Sequence, residues 1–384
     1  MNMEYRTLGR TGLRVSAVSL GCEGFMGLSP EDTCSLMDAA MARGVNFMDL
    51  YSPNPDLRRR IGQALRGRRS RFVLQAHLCT VWEDGQYLRT RDPEKTRASF
   101  EEALRLLGTD YVDVGMVHYV DDERDLKAVL EGPVMQMAEA WKREGRIRHI
   151  GLSSHNPVVA QQAVRSGHID VLLFSINPCY DLQPASEEVE DLWAEKSYDH
   201  PLQNIDPDRE ALYELCEREG VGIDVMKVYG GGDLLNAARS PFGRAFTPAQ
   251  CIEYALTRPA VAAVMVGCHS MEGLDAATAW CGATARERDY TDVMRGLEQF
   301  SWRGHCMYCG HCAPCTAGID IASVNKFYNL TEAEGCVPET VREHYKLLRH
   351  HASECLACGQ CEERCPFGVN IREQMRLAAE RFGY

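Results

Sequence analysis

Eight short apolar runs, each followed by a longer amphipathic stretch, restrict the fold of this chain more than any other feature. They are VSAVSLGC (15–22), VNFMDL (45–50), RFVLQAHL (71–78), YVDVGMVHY (111–119), IRHIGLS (147–153), VLLFSIN (171–177), VGIDVMKV (221–228) and AVAAVMVG (260–267). Each is apolar on both parities, as a strand buried on both faces must be. The stretches between them, such as PEDTCSLMDAAMARG and DPEKTRASFEEALRLLG, open on helix-start signals and end in glycine. Strict alternation of eight strands with helices predicts an α/β chain folded as a (β/α)8 TIM barrel. Two connections, 79–92 and 178–205, are long and follow strand C-termini, where barrel active sites form, so we expect them to cover the site. A barrel takes about 250 residues, so we expect it over 1–298, with a small, mainly helical module over 299–384.

Composition narrows the class. Hydrophobic residues make up 45% and charged residues 25% of the 384-residue chain, as in an ordinary globular protein. A net charge of −13 opposes nonspecific binding to nucleic acid or to an anionic membrane. No run approaches the apolar length of a transmembrane helix, and the opening MNMEYRTLGRTGLRV lacks the apolar stretch of a secretory signal. The expectation is a cytoplasmic protein with no nucleic-acid or membrane partner.

Cysteine is the outlier, with 17 residues. Eight of them form two runs near the C-terminus: Cys306, Cys309, Cys312 and Cys315 in CMYCGHCAPC, and Cys355, Cys358, Cys361 and Cys365 in CLACGQCEERCP. Three thiolates at steps of three wrap one corner of an iron–sulfur cube, and a distant fourth completes it. Zinc also uses CxxC pairs, but it needs two pairs rather than a triplet followed by Cys-Pro. The module resembles the bacterial two-cluster ferredoxin domain, in its α-helical variety because of the long helical spacer. The resemblance implies two [4Fe–4S] clusters, one on Cys306, Cys309, Cys312 and Cys365, the other on Cys355, Cys358, Cys361 and Cys315. The scattered cysteines read as buried apolar residues, with Cys22 kept open because it falls at a strand end.

The barrel segment resembles the aldo-keto reductases in the opening YRTLGRTGLRVSAVSLG, in GVNFMDL followed by IGQAL, and in GTDYVDVGMVH and GRIRHIGLSSHN. That family reduces carbonyls with NADPH through an Asp, a Tyr proton donor, a Lys and a His. Asp49 matches the Asp and His118 the His. The Tyr position is Asn54 and the Lys position is His77, so two of the four roles are changed. An Asn cannot deliver a proton as a phenol does, and a histidine of reference pKa about 6.5 is often neutral where a lysine is cationic. Tyr51, two residues after Asp49, is the nearest candidate for the lost donor, which makes Asp49, Tyr51, His77 and His118 the catalytic candidates. Three readings of Asp49, His77 and His118 stay open: acid–base catalysis, a buried structural pair, and a 2-His-1-carboxylate metal site. Glu23 is a further carboxylate at the same mouth, as a capping or a catalytic group.

For a cofactor, barrels hold phosphate in the loops after their last two strands. There the chain offers Lys227, Gly230 and Gly231, then Gly267 and Ser270, while Ser154 and Asn177 fall where the family contacts nicotinamide. We therefore expect an oxidoreductase acting on a small, carbonyl-type substrate, with electrons passed through two [4Fe–4S] clusters from a ferredoxin- or flavodoxin-type partner. The alternatives are an NADP(H)-dependent carbonyl reductase with structural or regulatory clusters, and a non-catalytic electron-transfer protein. A flavin would be needed only to split a hydride into single electrons.

Overall fold

The computed structural model describes residues 2–183, 185–187, 206–290, 293, 306, 312–334, 337, 339–365 and 368–384. These form two compact units. One takes the described residues up to 187 with 206–228 and 248–290, and the other takes 229–247 with those after 290.

The first unit is a closed parallel barrel built from all eight apolar runs. Two short strands come first, β1 (Tyr5–Thr7) and β2 (Arg14–Ser16), paired antiparallel. The barrel strands are β3 (Val18–Gly21), β4 (Phe47–Leu50), β5 (Val73–Leu78), β8 (Val112–Val117), β9 (Ile147–Ser154), β10 (Val171–Ser175), β11 (Gly222–Met226) and β12 (Val261–Gly267). They close in the order β10-β11-β12-β3-β4-β5-β8-β9. Leu8, just after β1, and Val15, within β2, join Phe47, Val114, Met116, Val171, Leu173 and Ala263 in one buried apolar cluster.

The helix starts share one chemistry. Ser29, Asn54, Asp92, Asn156 and Asp206 each precede a proline at the first helical position, and each side chain accepts from backbone amides of its own first turn. An acceptor at the cap satisfies donors that the helix leaves unpaired, and proline sits where no amide is needed.

The connection after β5 is not a plain loop. Residues Thr80–Glu83 (β6) and Gln86–Arg89 (β7) pair antiparallel, with Trp82 opposite Tyr87. The turn is Asp84-Gly85, and both residues have positive φ, 51° and 76°. That is the geometry of a two-residue turn whose twist matches the flanking strands, and it favours glycine at the second position. Of the other long connection, 178–205, only 178–183 and 185–187 lie among the described residues, so its covering role is not addressed.

The second unit is mainly helical, with helices Ile321–Glu334, Glu339–Lys346 and Ile371–Phe382. Its core gathers Val324, Phe327, Tyr345, Met375, Ala378 and Phe382 together with Cys306, Cys312 and Cys361. Residues 230–235 pack on helix Ile321–Glu334, which is why 229–247 groups with this unit. Among the described residues, no helix is long and apolar enough to cross a membrane.

Candidate functional site

The barrel brings Asp49, His77 and His118 together at the C-terminal ends of β4, β5 and β8. His77 Nε2 lies 3.1 Å from Asp49 Oδ1, and His77 Nδ1 lies 2.6 Å from His118 Nδ1. The remaining nitrogen, His118 Nε2, is hydrogen-bonded to the Tyr87 hydroxyl. All four residues are buried. With Asp49 ionised and both imidazoles neutral, one set of protons satisfies every bond: Tyr87 donates to His118, His118 to His77, and His77 to Asp49. Burial pushes the His118 pKa well down, and His77, Arg91, Arg89 and His155 add to the effect.

In this geometry the three residues are hydrogen-bonded to one another. Their ring nitrogens face one another and the two terminal oxygens, so they form a chain rather than converging on a point. Among the described residues, no three His, Cys, Asp or Glu side chains gather closely enough to hold a metal ion.

Below Asp49 lies a second polar layer. Gln75 Nε2 donates to Asp49 Oδ1 and to Asp224 Oδ2, both at 2.9 Å. Burial, with the charge of Asp49 added, pushes the Asp224 carboxyl well above the usual range. Cys22 is buried beside it. Its thiol is pushed up by burial and then by Asp49 and Cys268, which makes it a poor nucleophile.

Tyr51 and Asn54 are placed differently. The Tyr51 hydroxyl donates to Glu23 Oε1 at 2.8 Å, and its ring stacks 6.1 Å from that of His118. Asn54 Oδ1 accepts from the amides of Asp56 and Leu57 as the cap of helix Pro55–Ala64. Sequence reasoning missed Tyr87, Gln75 and Asp224. The Asp-Gly turn in TVWEDGQYLR was the available signal for the first, and a polar residue inside each of two apolar runs was the signal for the others.

The cofactor candidates are engaged within the protein. Ser154 Oγ donates to Asp121 Oδ1 at 3.0 Å. Asn177 accepts from the amides of Cys179 and Tyr180 and donates to the Lys227 carbonyl. Lys227 belongs to the barrel unit, whereas Gly230 and Gly231 belong to the second unit, all three with positive φ. Gly267 ends β12 beside Gly21, and Ser270 caps helix Met271–Thr278.

In the second unit, Cys315, Cys355, Cys358 and Cys361 line one cavity with Thr316, Arg364 and Arg372, around roughly 370 Å³ of space partly continuous with solvent. Left-handed backbone at Ala357 and Gly359 curls the second cysteine run around it. The Ala357 amide points at Cys355 Sγ (3.4 Å), and the Thr316 hydroxyl lies 3.7 Å from Cys358 Sγ. The Gln360 amide, followed by that hydroxyl, lowers the Cys358 pKa. Asn325 Nδ2 donates to Cys306 Sγ at 3.4 Å, and Arg364 ties the two runs by donating to the carbonyls of Cys312 and Pro314. The described cysteines are free thiols, and Cys309 lies outside the described residues.

The closed (β/α)8 barrel carries the hydrogen-bonded chain of Asp49, His77, His118 and Tyr87 at the C-terminal ends of its strands, the face where barrel enzymes hold their sites. The aldo/keto reductase family model matches residues 17–246, more than half of the chain. The chain belongs to the aldo/keto reductase family, and it is an oxidoreductase enzyme. It is 27% identical over 288 residues to the uncharacterized oxidoreductase YqkF of Bacillus subtilis (strain 168), covering 71% of this chain and 89% of that one. Among solved structures it is similar in fold to aldo-keto reductase AKR11C1 from Bacillus halodurans. The holo form gives a TM-score of 0.59 at 22% identity, covering 77% of this chain and 96% of that one. The apo form gives 0.55 at 20% identity over the same shares.

Proposed function

We propose that this aldo/keto reductase-family enzyme interconverts a small carbonyl compound and its alcohol in the barrel, and that it exchanges the electrons through two [4Fe–4S] clusters held by its C-terminal cysteines. The observation that carries the reading is the cavity lined by Cys315, Cys355, Cys358 and Cys361. One cysteine of the first run stands there with three of the second, which is the crossed set expected of a two-cluster module. A cube spreads its four thiolates over four irons, so its ligands stand further apart than those of one ion. N–H groups aimed at Cys355 and Cys306 also suit sulfurs that carry negative charge. When bound, each cluster would supply or accept one electron at a time. Cys306, Cys312 and Cys365, with Cys309, are the proposed ligands of the other cluster, and the proposed module spans 299–384.

In the barrel, the chain's own groups handle protons. Asp49, to which Gln75 donates, holds His77 in one orientation, His77 orients His118, and burial keeps His118 uncharged. A nicotinamide cofactor is the second reading. One observation favours it: Ser270 starts a helix directly after β12, where barrel enzymes hold phosphate. Against it, Ser154 and Asn177 spend donors on Asp121 and Lys227.

Anaerobic titration of cluster-loaded protein tests the assignment. Dithionite should bleach the iron–sulfur absorbance, and an aldehyde substrate should restore it. Full turnover by a cluster-free variant would overturn the electron route. Bleaching by NADPH alone would establish the nicotinamide reading, and a flavin would then have to be sought.

A further inference from the structure

We infer that Tyr87 is the acid–base residue of the barrel, exchanging a proton with the substrate oxygen, and that His118, His77 and Asp49 are the positioning residues through which that proton passes. This rests on the reading that the barrel interconverts a carbonyl and an alcohol. A carbonyl oxygen that gains negative charge needs a proton from a group held within hydrogen-bond reach. Asn54, at the family's Tyr position, has its oxygen committed to the amides of Asp56 and Leu57. Tyr51 donates to Glu23 Oε1 at 2.8 Å. Tyr87 is the phenol at the end of the hydrogen-bonded chain. It reaches His118 from the β6–β7 hairpin, which follows directly on the C-terminal end of β5, the end of the barrel where substrates bind.

The proton balance follows from the chain. In reduction, the carbonyl π bond breaks, and the carbon gains two electrons and a proton. A dihydronicotinamide would supply the electrons as hydride, or a low-potential one-electron reductant would supply them in two transfers, with the carbon's proton from solvent. The oxygen takes the Tyr87 proton. His118 Nε2–H then reprotonates the phenolate, and His77 Nδ1–H reprotonates His118. The acid form therefore carries one proton more than the neutral chain. Arg89 and Arg91 disfavour a cation on His118, and Cys79, Tyr51, Tyr119 and His155 complete the titratable surroundings of His118 and Tyr87. Alcohol oxidation runs the same transfers backwards from the neutral chain. Reduction should thus fall, and oxidation rise, as pH climbs through the pKa of the chain.

The test uses the full-length, cluster-loaded protein, with 4-nitrobenzaldehyde reduced by NADPH or by dithionite-reduced methyl viologen. Tyr87→Phe should lower kcat by about 10²–10⁴-fold while KM moves by less than about threefold, and the pH limb should vanish. Placing 3-fluorotyrosine at 87 keeps the hydroxyl and the shape, so it should restore both turnover and the pH limb. A Tyr87→Phe enzyme as fast as the wild type, or faster because the hydroxyl merely plugs the site, overturns the assignment. Histidine ¹⁵N NMR provides a readout independent of turnover. Tyr87→Phe should shift both the His118 and His77 resonances, and an unchanged pair overturns the relay. If the wild type reduces no carbonyl with either reductant, the carbonyl reading fails, and the NMR comparison decides the relay.

Discussion

At the residue scale, the family's Tyr position has passed to structural work. Asn54 stands where a phenol is expected, yet its work is to cap helix Pro55–Ala64. Asn54→Ala should therefore cost about 1 kcal/mol of stability, seen as a lower urea midpoint at unchanged slope. Asp224 makes the opposite point. Its folded pKa is raised, so the native state binds a proton more tightly than the unfolded chain does, and stability is lost as pH rises from about 3.9 toward the folded value. Asp224→Asn removes that loss. Its stability relative to wild type should grow by up to about 1.4 kcal/mol per pH unit across that window and show no gain below it, measured by thermal unfolding against pH.

At the scale of elements, the β6–β7 hairpin carries Tyr87 to the end of the hydrogen-bonded chain. Its register places Tyr87 opposite Trp82, and that register depends on the Asp84-Gly85 turn. A β-branched side chain at the positive φ of Gly85 strains the turn by about 1–3 kcal/mol, whereas asparagine tolerates it. Gly85→Val should lower kcat toward the level of Tyr87→Phe, while Gly85→Asn should keep it, in the same aldehyde assay. The eight barrel strands were legible as apolar runs, and five of the helix starts as a capping residue followed by proline. The hairpin was legible only through Asp-Gly, because each of its strands is four residues long and alternates weakly.

At the scale of the whole molecule, the chain joins a family barrel to a helical unit built around cysteines. If the clusters are crossed between the two runs, Cys355→Ser should remove about half the iron bound after anaerobic reconstitution. The other half should stay with the set containing Cys306 and Cys312. Iron analysis checks this directly, and retention of all the iron would argue against the crossed set.

The sequence by itself determined the eight barrel strands, the helices between them and where the cysteines recur, because burial periodicity, caps and ligand spacing are local properties. It also located Asp49, His77 and His118 at strand ends. Only the tertiary structure decided what those residues touch. Tyr87 meets His118 across 31 positions, His77 meets His118 across 41, and Gln75 reaches Asp224 across 149. Such contacts arise when the sheet closes on itself, since barrel closure brings together side chains that no local pattern links.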